Sequence, residues 1–122
     1  LTLLYGSRNK EFVYDLTPFE KNGCTIHIAT DDGSVGTKGR VCALFDQIPV
    51  GKNTLIYTCG PRPMMKSVQE FAAQNQISGQ CSCEEVMACG IGACLGCVIK
   101  TVNGYRTVCH DGPVFDLQEV IF

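Results

Sequence analysis

Four of the chain's nine cysteines stand at a metal-binding spacing. Cys89, Cys94 and Cys97 form C-x4-C-x2-C, and Cys109 follows after eleven intervening residues. Three thiols from one loop and a fourth from a later segment is the ligand pattern of a [2Fe–2S] centre. Two irons, two sulfides and four thiolates make an anionic core, and reduction adds to its charge. Between Cys89 and Cys97 there is no Lys or Arg to offset that charge and no Asp or Glu to oppose it. Gly90, Gly92 and Gly96 let backbone N–H groups approach the sulfurs, with positive φ where the wrapping requires it. Ala88 and Ala93 keep the surroundings small. The chemistry is electron transfer, and no pair of side chains elsewhere reads as a catalytic acid and base.

Other readings of these thiols exist. A structural zinc with four cysteine ligands is usually built from two C-x2-C pairs, and only Cys94 and Cys97 make one here. Four unliganded core cysteines would not require so much glycine. A mixed His and Cys site needs two histidines; His110 follows Cys109, but His27 lies far upstream in a strand-like run. His110 therefore reads as a residue beside the site or on the surface. Cys81 and Cys83 fall outside the spacing and read as packing residues on a strand. An odd number of cysteines without a secretory leader argues for reduced thiols and a cytoplasmic location rather than a disulfide framework.

Bulk properties narrow the field further. The chain has 122 residues, 45% of them hydrophobic and 18% charged, which permits a packed core. A net charge of −2 without a basic stripe gives no footprint for a nucleic acid. No apolar run approaches the roughly 18 residues of a membrane span.

The elements that must position the thiols fall into two styles. Over residues 1–80, strand-like runs alternate with helix-like ones. "LTLLY", "CTIHIAT" and "NTLIYTC" read as strands, with "GQCSCEEVM" a possible fourth. Phe12, Leu16 and Phe19 keep helical spacing, with Pro18 expected to interrupt the helix. Val41, Leu44, Phe45 and Ile48 share a helical face. "PRPMMKSVQEFAAQNQ" reads as a helix with Pro63 in its first turn. This alternation is the pattern of a parallel sheet with crossover helices. Residues 81–122 are rich in Cys and Gly and then in short β pieces: "CVIKTV", "YRTVC", "PVF" and "EVIF". Asn103-Gly104 marks a hairpin. So small a half needs something besides burial to stabilise it.

"MACGIGACLGC" followed by "VCHDGPVF" resembles the [2Fe–2S] domain of the electron-transfer subunits of dihydroorotate dehydrogenase. "LLYGSRN", "ATDDGSVGTKG" and "YTCGPRPMM" resemble the pyridine-nucleotide domain of the ferredoxin reductase superfamily, to which those subunits belong. The resemblance spans nearly the whole chain. It implies an α/β fold: a partial doubly wound parallel sheet in residues 1–80, then a small β-rich cluster domain in residues 81–122. The chain opens in mid-strand without Met, and neither a flavin barrel nor the Gly-rich loop of a first βα unit is found. It is expected to be the C-terminal portion of a longer subunit and not catalytic alone. The loss of a central strand is expected to leave a gap between the remaining ones.

The resemblance also implies a route for electrons. Dihydroorotate is oxidised at FMN on a separate catalytic subunit, expected in a heterotetramer, and electrons reach FAD and then NAD through the cluster. The neighbouring possibilities are a hydrogenase gamma subunit and the small subunit of an NADH-dependent ferredoxin:NADP oxidoreductase. A zinc module stands as a different class.

By the same resemblance, Gly6, Ser7 and Arg8 lie near the adenine side of the nucleotide. Arg8 reads equally well as a ribose or phosphate contact and as a solvated loop residue. Asp31 or Asp32 stands at a strand end where ribose hydroxyls could be bound, or serves only to cap an Asx turn. Cys59, Gly60 and Pro61 stand where a strand meets a helix N-terminus, the nicotinamide end in the family. From the residues alone they read as a reactive thiol or as turn punctuation. Glu84 and Glu85 precede the cluster loop, in a segment that approaches the flavin in related reductases.

Overall fold

The computed structural model describes residues 1–51 and 53–122. The chain divides into two compact units, Leu1–Pro49 and Val50–Phe122.

The first unit is built on a parallel sheet ordered β1-β2-β3. The apolar run Thr2–Ser7 forms β1, and the alternating β-branched run Thr25–Thr30 forms β2. They pair in parallel from Thr2↔Thr25 to Ser7↔Thr30. A short β3, Thr37–Lys38, adds to the far side of β2, in parallel again. Parallel pairing needs a crossover, and α1, Thr17–Lys21, lies in it. Pro18 opens this helix rather than interrupting one. Its missing N–H falls in the first turn, where no intrahelical acceptor exists, and Asp15 Oδ1 accepts the Thr17 N–H at 3.0 Å. The segment before it is a separate 3-10 turn, Lys10–Phe12. Phe12 and Phe19 are consequently exposed, so their helical spacing marks no buried face. Val41–Gln47 is a 3-10 helix, with Val41 and Leu44 buried. The Thr30 hydroxyl, fully buried, donates to the Val35 carbonyl at 2.7 Å.

The second unit contains a mixed sheet ordered β4-β5-β8. β4, Leu55–Cys59, and β5, Ser78–Ser82, run in parallel, and α2, Arg62–Gln74, connects them. Met65, Val68 and Ala72 recur at helical spacing and are buried. On the other edge of β5 lies β8, Val114–Asp116, antiparallel, with Cys81 opposite Phe115. Elements from either side of residue 80 thus share one sheet. The hairpin of β6, Val98–Thr101, and β7, Gly104–Thr107, turns at Asn103-Gly104. The Thr101 hydroxyl closes the turn on the Gly104 carbonyl at 2.7 Å. α3, Val108–Asp111, follows directly. "EVIF" forms no strand and contributes one bridge, Thr101↔Val120. Leu117, Val108, Val120, Cys81 and Cys97 are the unit's largest fully buried side chains. The Gln69 amide joins helix to tail, donating to the carbonyls of Leu117 at 2.5 Å and Val120 at 2.8 Å.

Among the described residues the architecture is thus mixed α/β, with one parallel sheet, one mixed sheet and one two-stranded antiparallel hairpin. Among the described residues, no helix is long and apolar enough to cross a membrane.

Candidate metal centre

Cys97 and Cys109 are placed by regular structure. Cys97 immediately precedes β6, and Cys109 sits in α3, immediately past β7. The hairpin therefore brings two distant thiols together at its base, where Val98 faces Thr107 and the Val108 N–H donates to the Cys97 carbonyl at 3.0 Å. Asp111 fixes this corner. One carboxylate oxygen accepts both the Thr107 N–H at 2.7 Å and its hydroxyl at 2.9 Å. Those bonds hold the Asp111 carboxyl below the usual range. The sequence contained the signal, an acid four residues after a threonine at a helix start, but its composition drew attention to the thiols instead.

Cys89 and Cys94 lie in the irregular segment between β5 and β6. Its path is set by left-handed residues: Gly90 at φ +69°, Gly92 at +76° and, unexpectedly, Leu95 at +57°. A bulky side chain rarely adopts that conformation, and Leu95 does so while exposed. Gly96 is not left-handed. A Cβ there would stand 3.4 Å from the Cys94 sulfur, at ordinary contact distance.

All four sulfurs accept a backbone N–H. Gly92 donates to Cys109 at 3.2 Å, Cys94 to Cys89 at 3.4 Å, Gly96 to Cys94 at 3.4 Å and Cys109 to Cys97 at 3.4 Å. The electrostatic effect is visible in the thiols. The N–H groups of Ile91 and Cys94 hold Cys89 down to about 6. The Cys109 N–H lowers Cys97. Cys109 is raised, first by the Cys97 side chain bonded to it and then by burial. Thiolates this close repel one another and are relieved by a cation. The ring of donors thus suits a negatively charged sulfur–metal core. The rim runs from buried Cys97 through half-buried Cys89 and Cys109 to exposed Cys94. Among the described residues, no three His, Cys, Asp or Glu side chains converge as the shell of a single metal ion. His110 is exposed, with Nδ1 3.3 Å from Asp111 Oδ1.

The nucleotide candidates fall in two groups. Gly6, Ser7 and Arg8 end β1 beside Asp31 and Asp32, which follow β2. The Asp31 N–H donates to the Ser7 carbonyl at 3.1 Å, and the Asp32 N–H to that of Arg8 at 3.4 Å. Asp32 is occupied in an Asx turn, accepting the Ser34 N–H at 2.9 Å and its hydroxyl at 2.7 Å. Asp31 and Arg8 are exposed. In the second unit, exposed Cys59, Gly60 and Pro61 join β4 to α2. Cys59 Sγ lies 4.0 Å from Glu84 Oε1. Arg62 pairs with Glu85 at 3.1 Å. This tie between the α2 N-terminus and the segment entering the cysteine loop had no signal in the sequence.

Residues 84–121, which hold all four cysteines, match the iron–sulfur cluster binding domain of dihydroorotate dehydrogenase B. The dihydroorotate dehydrogenase B (NAD(+)) electron transfer subunit of Caldanaerobacter subterraneus is 40% identical over 100% of this chain. That of a Geobacillus species is 40% identical over 99%, and a homolog of the subunit in Aquifex aeolicus 38% over 98%. The chain belongs to this family. It spans about half the length of these relatives, 49%, 47% and 46% respectively. The structure of an NADH-dependent reduced ferredoxin-NADP oxidoreductase superposes with a TM-score of 0.83 at 27% identity, over 98% of this chain and 44% of that one. The cysteine loop is accordingly an iron–sulfur binding domain, and the resemblance drawn from the cysteine motif holds over the whole chain.

Proposed function

We propose that Cys89, Cys94, Cys97 and Cys109 hold a [2Fe–2S] cluster, and that the chain serves as the electron-transfer part of an NAD-dependent dihydroorotate dehydrogenase. The observation that carries this reading is that each of the four sulfurs accepts a backbone N–H, three of them in a segment free of charged side chains from Val86 to Ile99 and the fourth, Cys109, at the base of the following hairpin. When bound, such a cluster supplies a one-electron carrier between two-electron flavins. The residues do the rest. The amides stabilise negative charge on the sulfurs, buried Cys97 anchors the group, and exposed Cys94 leaves a short path to a docked partner. In this reading, residues 1–80 belong to a doubly wound nucleotide domain and residues 81–122 to the cluster domain. The partner is an FMN-bearing catalytic subunit, expected in a heterotetramer. FAD and NAD are served from Gly6, Ser7, Arg8 and Asp31 and from the Cys59–Pro61 turn. Asp32 serves through the turn it caps.

Anaerobic reconstitution tests the cluster. Two irons and two acid-labile sulfides per chain are expected, with visible bands that bleach under dithionite. Replacing any one of the four cysteines by serine should reduce iron to background. One bound zinc in their place would overturn the reading. The likeness to the ferredoxin-NADP oxidoreductase favours a second reading, a related flavoprotein subunit. Dihydroorotate-dependent reduction of NAD by the subunit with its FMN-bearing partner separates the two, since only the first reading requires it.

A further inference from the structure

The second unit holds another pair of thiols, outside the quartet. Cys81 lies in β5 and Cys83 just past its end, so both side chains fall on one face of the sheet. Their sulfurs are 4.0 Å apart. Cys81 is 0% exposed and Cys83 4%. Among the described residues, the hydrogen-bond partners of these sulfurs are each other and the Phe115 carbonyl, 3.8 Å from the Cys81 sulfur. Burial first, and then the Cys83 thiol, push Cys81 up to about 12, and burial raises Cys83 as well. Burial thus disfavours the thiolate at both positions. A cation between the two sulfurs would remove the repulsion and give the desolvated charge a partner.

We propose that Cys81 and Cys83 form a two-sulfur site for one soft monovalent ion of the copper(I) class. The donor set selects the ion. Two sulfurs without a carboxylate suit a soft metal and not magnesium, calcium or manganese, and zinc requires four ligands. The spacing is close to what one ion needs: with the zinc–thiolate length of about 2.3 Å as a guide, two bonds in line span about 4.6 Å, so sulfurs 4.0 Å apart accept one ion after small outward shifts. Binding breaks two S–H bonds and forms two S–metal bonds. Two protons pass to solvent, and copper stays in the +1 state, so no electron moves. Cys59 marks the way in. It is exposed at the end of the neighbouring strand, opposite Ser82 in register.

The test is anaerobic titration of the cluster-loaded chain with copper(I) against a copper(I)-specific chelator. One copper per chain is expected, with the cluster's visible bands unchanged. Copper-edge X-ray absorption should show two sulfur neighbours, a readout that needs no variant. Cys81→Ala and Cys83→Ala should each weaken binding by at least about tenfold, and an unchanged cluster spectrum shows that each variant is folded. Cys59→Ala should leave affinity as it was. The proposal is overturned if copper uptake bleaches the cluster, if either variant binds as tightly as the parent, if Cys59→Ala costs as much as the other two, or if no copper is held and the pair only packs.

Discussion

Gly92 stands at φ +76° with its N–H 3.2 Å from the Cys109 sulfur, so a side chain there meets two objections. The conformation itself costs about 1–2 kcal/mol for a residue with a Cβ. The Cβ would also come within 3.1 Å of the His110 Cβ. Gly92→Ala should therefore move the amide away from Cys109 and shorten the lifetime of the bound cluster, measured as the decay of visible absorbance under a chelator. Adding His110→Gly should recover the steric part alone. Full recovery would show that φ is not the constraint. Composition and spacing made the quartet legible, because ligand spacing is local in the chain and glycine is the usual residue for positive φ. They could not reveal Leu95. A leucine at φ +57° is chosen by the loop closing around it, and nothing in its residue type announces that.

At the level of elements, the seam between β4 and β5 is a tight place to test. A Cβ on Gly79 would lie 2.7 Å from the Ile56 carbonyl oxygen and 3.2 Å from Leu117 Cδ2. The oxygen belongs to the paired strand and cannot give way cheaply. Gly79→Ala should cost about 1–3 kcal/mol in denaturant unfolding. At Gly51 a Cβ meets nothing within 4 Å, so Gly51→Ala should stay within about 0.5 kcal/mol. Equal effects at the two glycines would refute the register. Gln69→Ala tests the helix-to-tail link. It removes two bonds and leaves the carbonyls of Leu117 and Val120 without that donor, for a loss of about 1–3 kcal/mol in the same assay. Long apolar or amphipathic runs such as Thr25–Thr30 and Arg62–Gln74 were legible because periodicity is written in the residues themselves. Short segments were not. Val41–Gln47 keeps a helical spacing of apolar residues yet closes as a 3-10 helix, and Pro18 starts a helix that spacing alone extended across it. The pairing of β8 with β5 depends on residues more than thirty positions apart, where local pattern carries no information.

At the scale of the whole molecule, the question is where stability resides when the thiol loop is empty of metal. The first unit has regular pairing across β1, β2 and β3, with Ala29, Thr30 and Leu44 almost fully buried. The second unit contrasts with it. From Cys83 to Cys97 there is neither helix nor strand, and Val86, Met87, Ile91 and Leu95 are all exposed. Little apolar burial holds that stretch, so a ligand that binds only the folded loop supplies much of its order. Hydrogen exchange on the intact chain, with the cluster and after its removal, measures this directly. The amides of Gly92, Cys94, Gly96 and Cys109 face the sulfurs and should exchange faster by about tenfold or more once the metal is gone. Amides paired between β1 and β2 should keep their protection, because their hydrogen bonds and core lie in a separately compact unit. If the β1–β2 amides lost protection together with the loop, the two units would be one cooperative body, and the cluster would stabilise all of it.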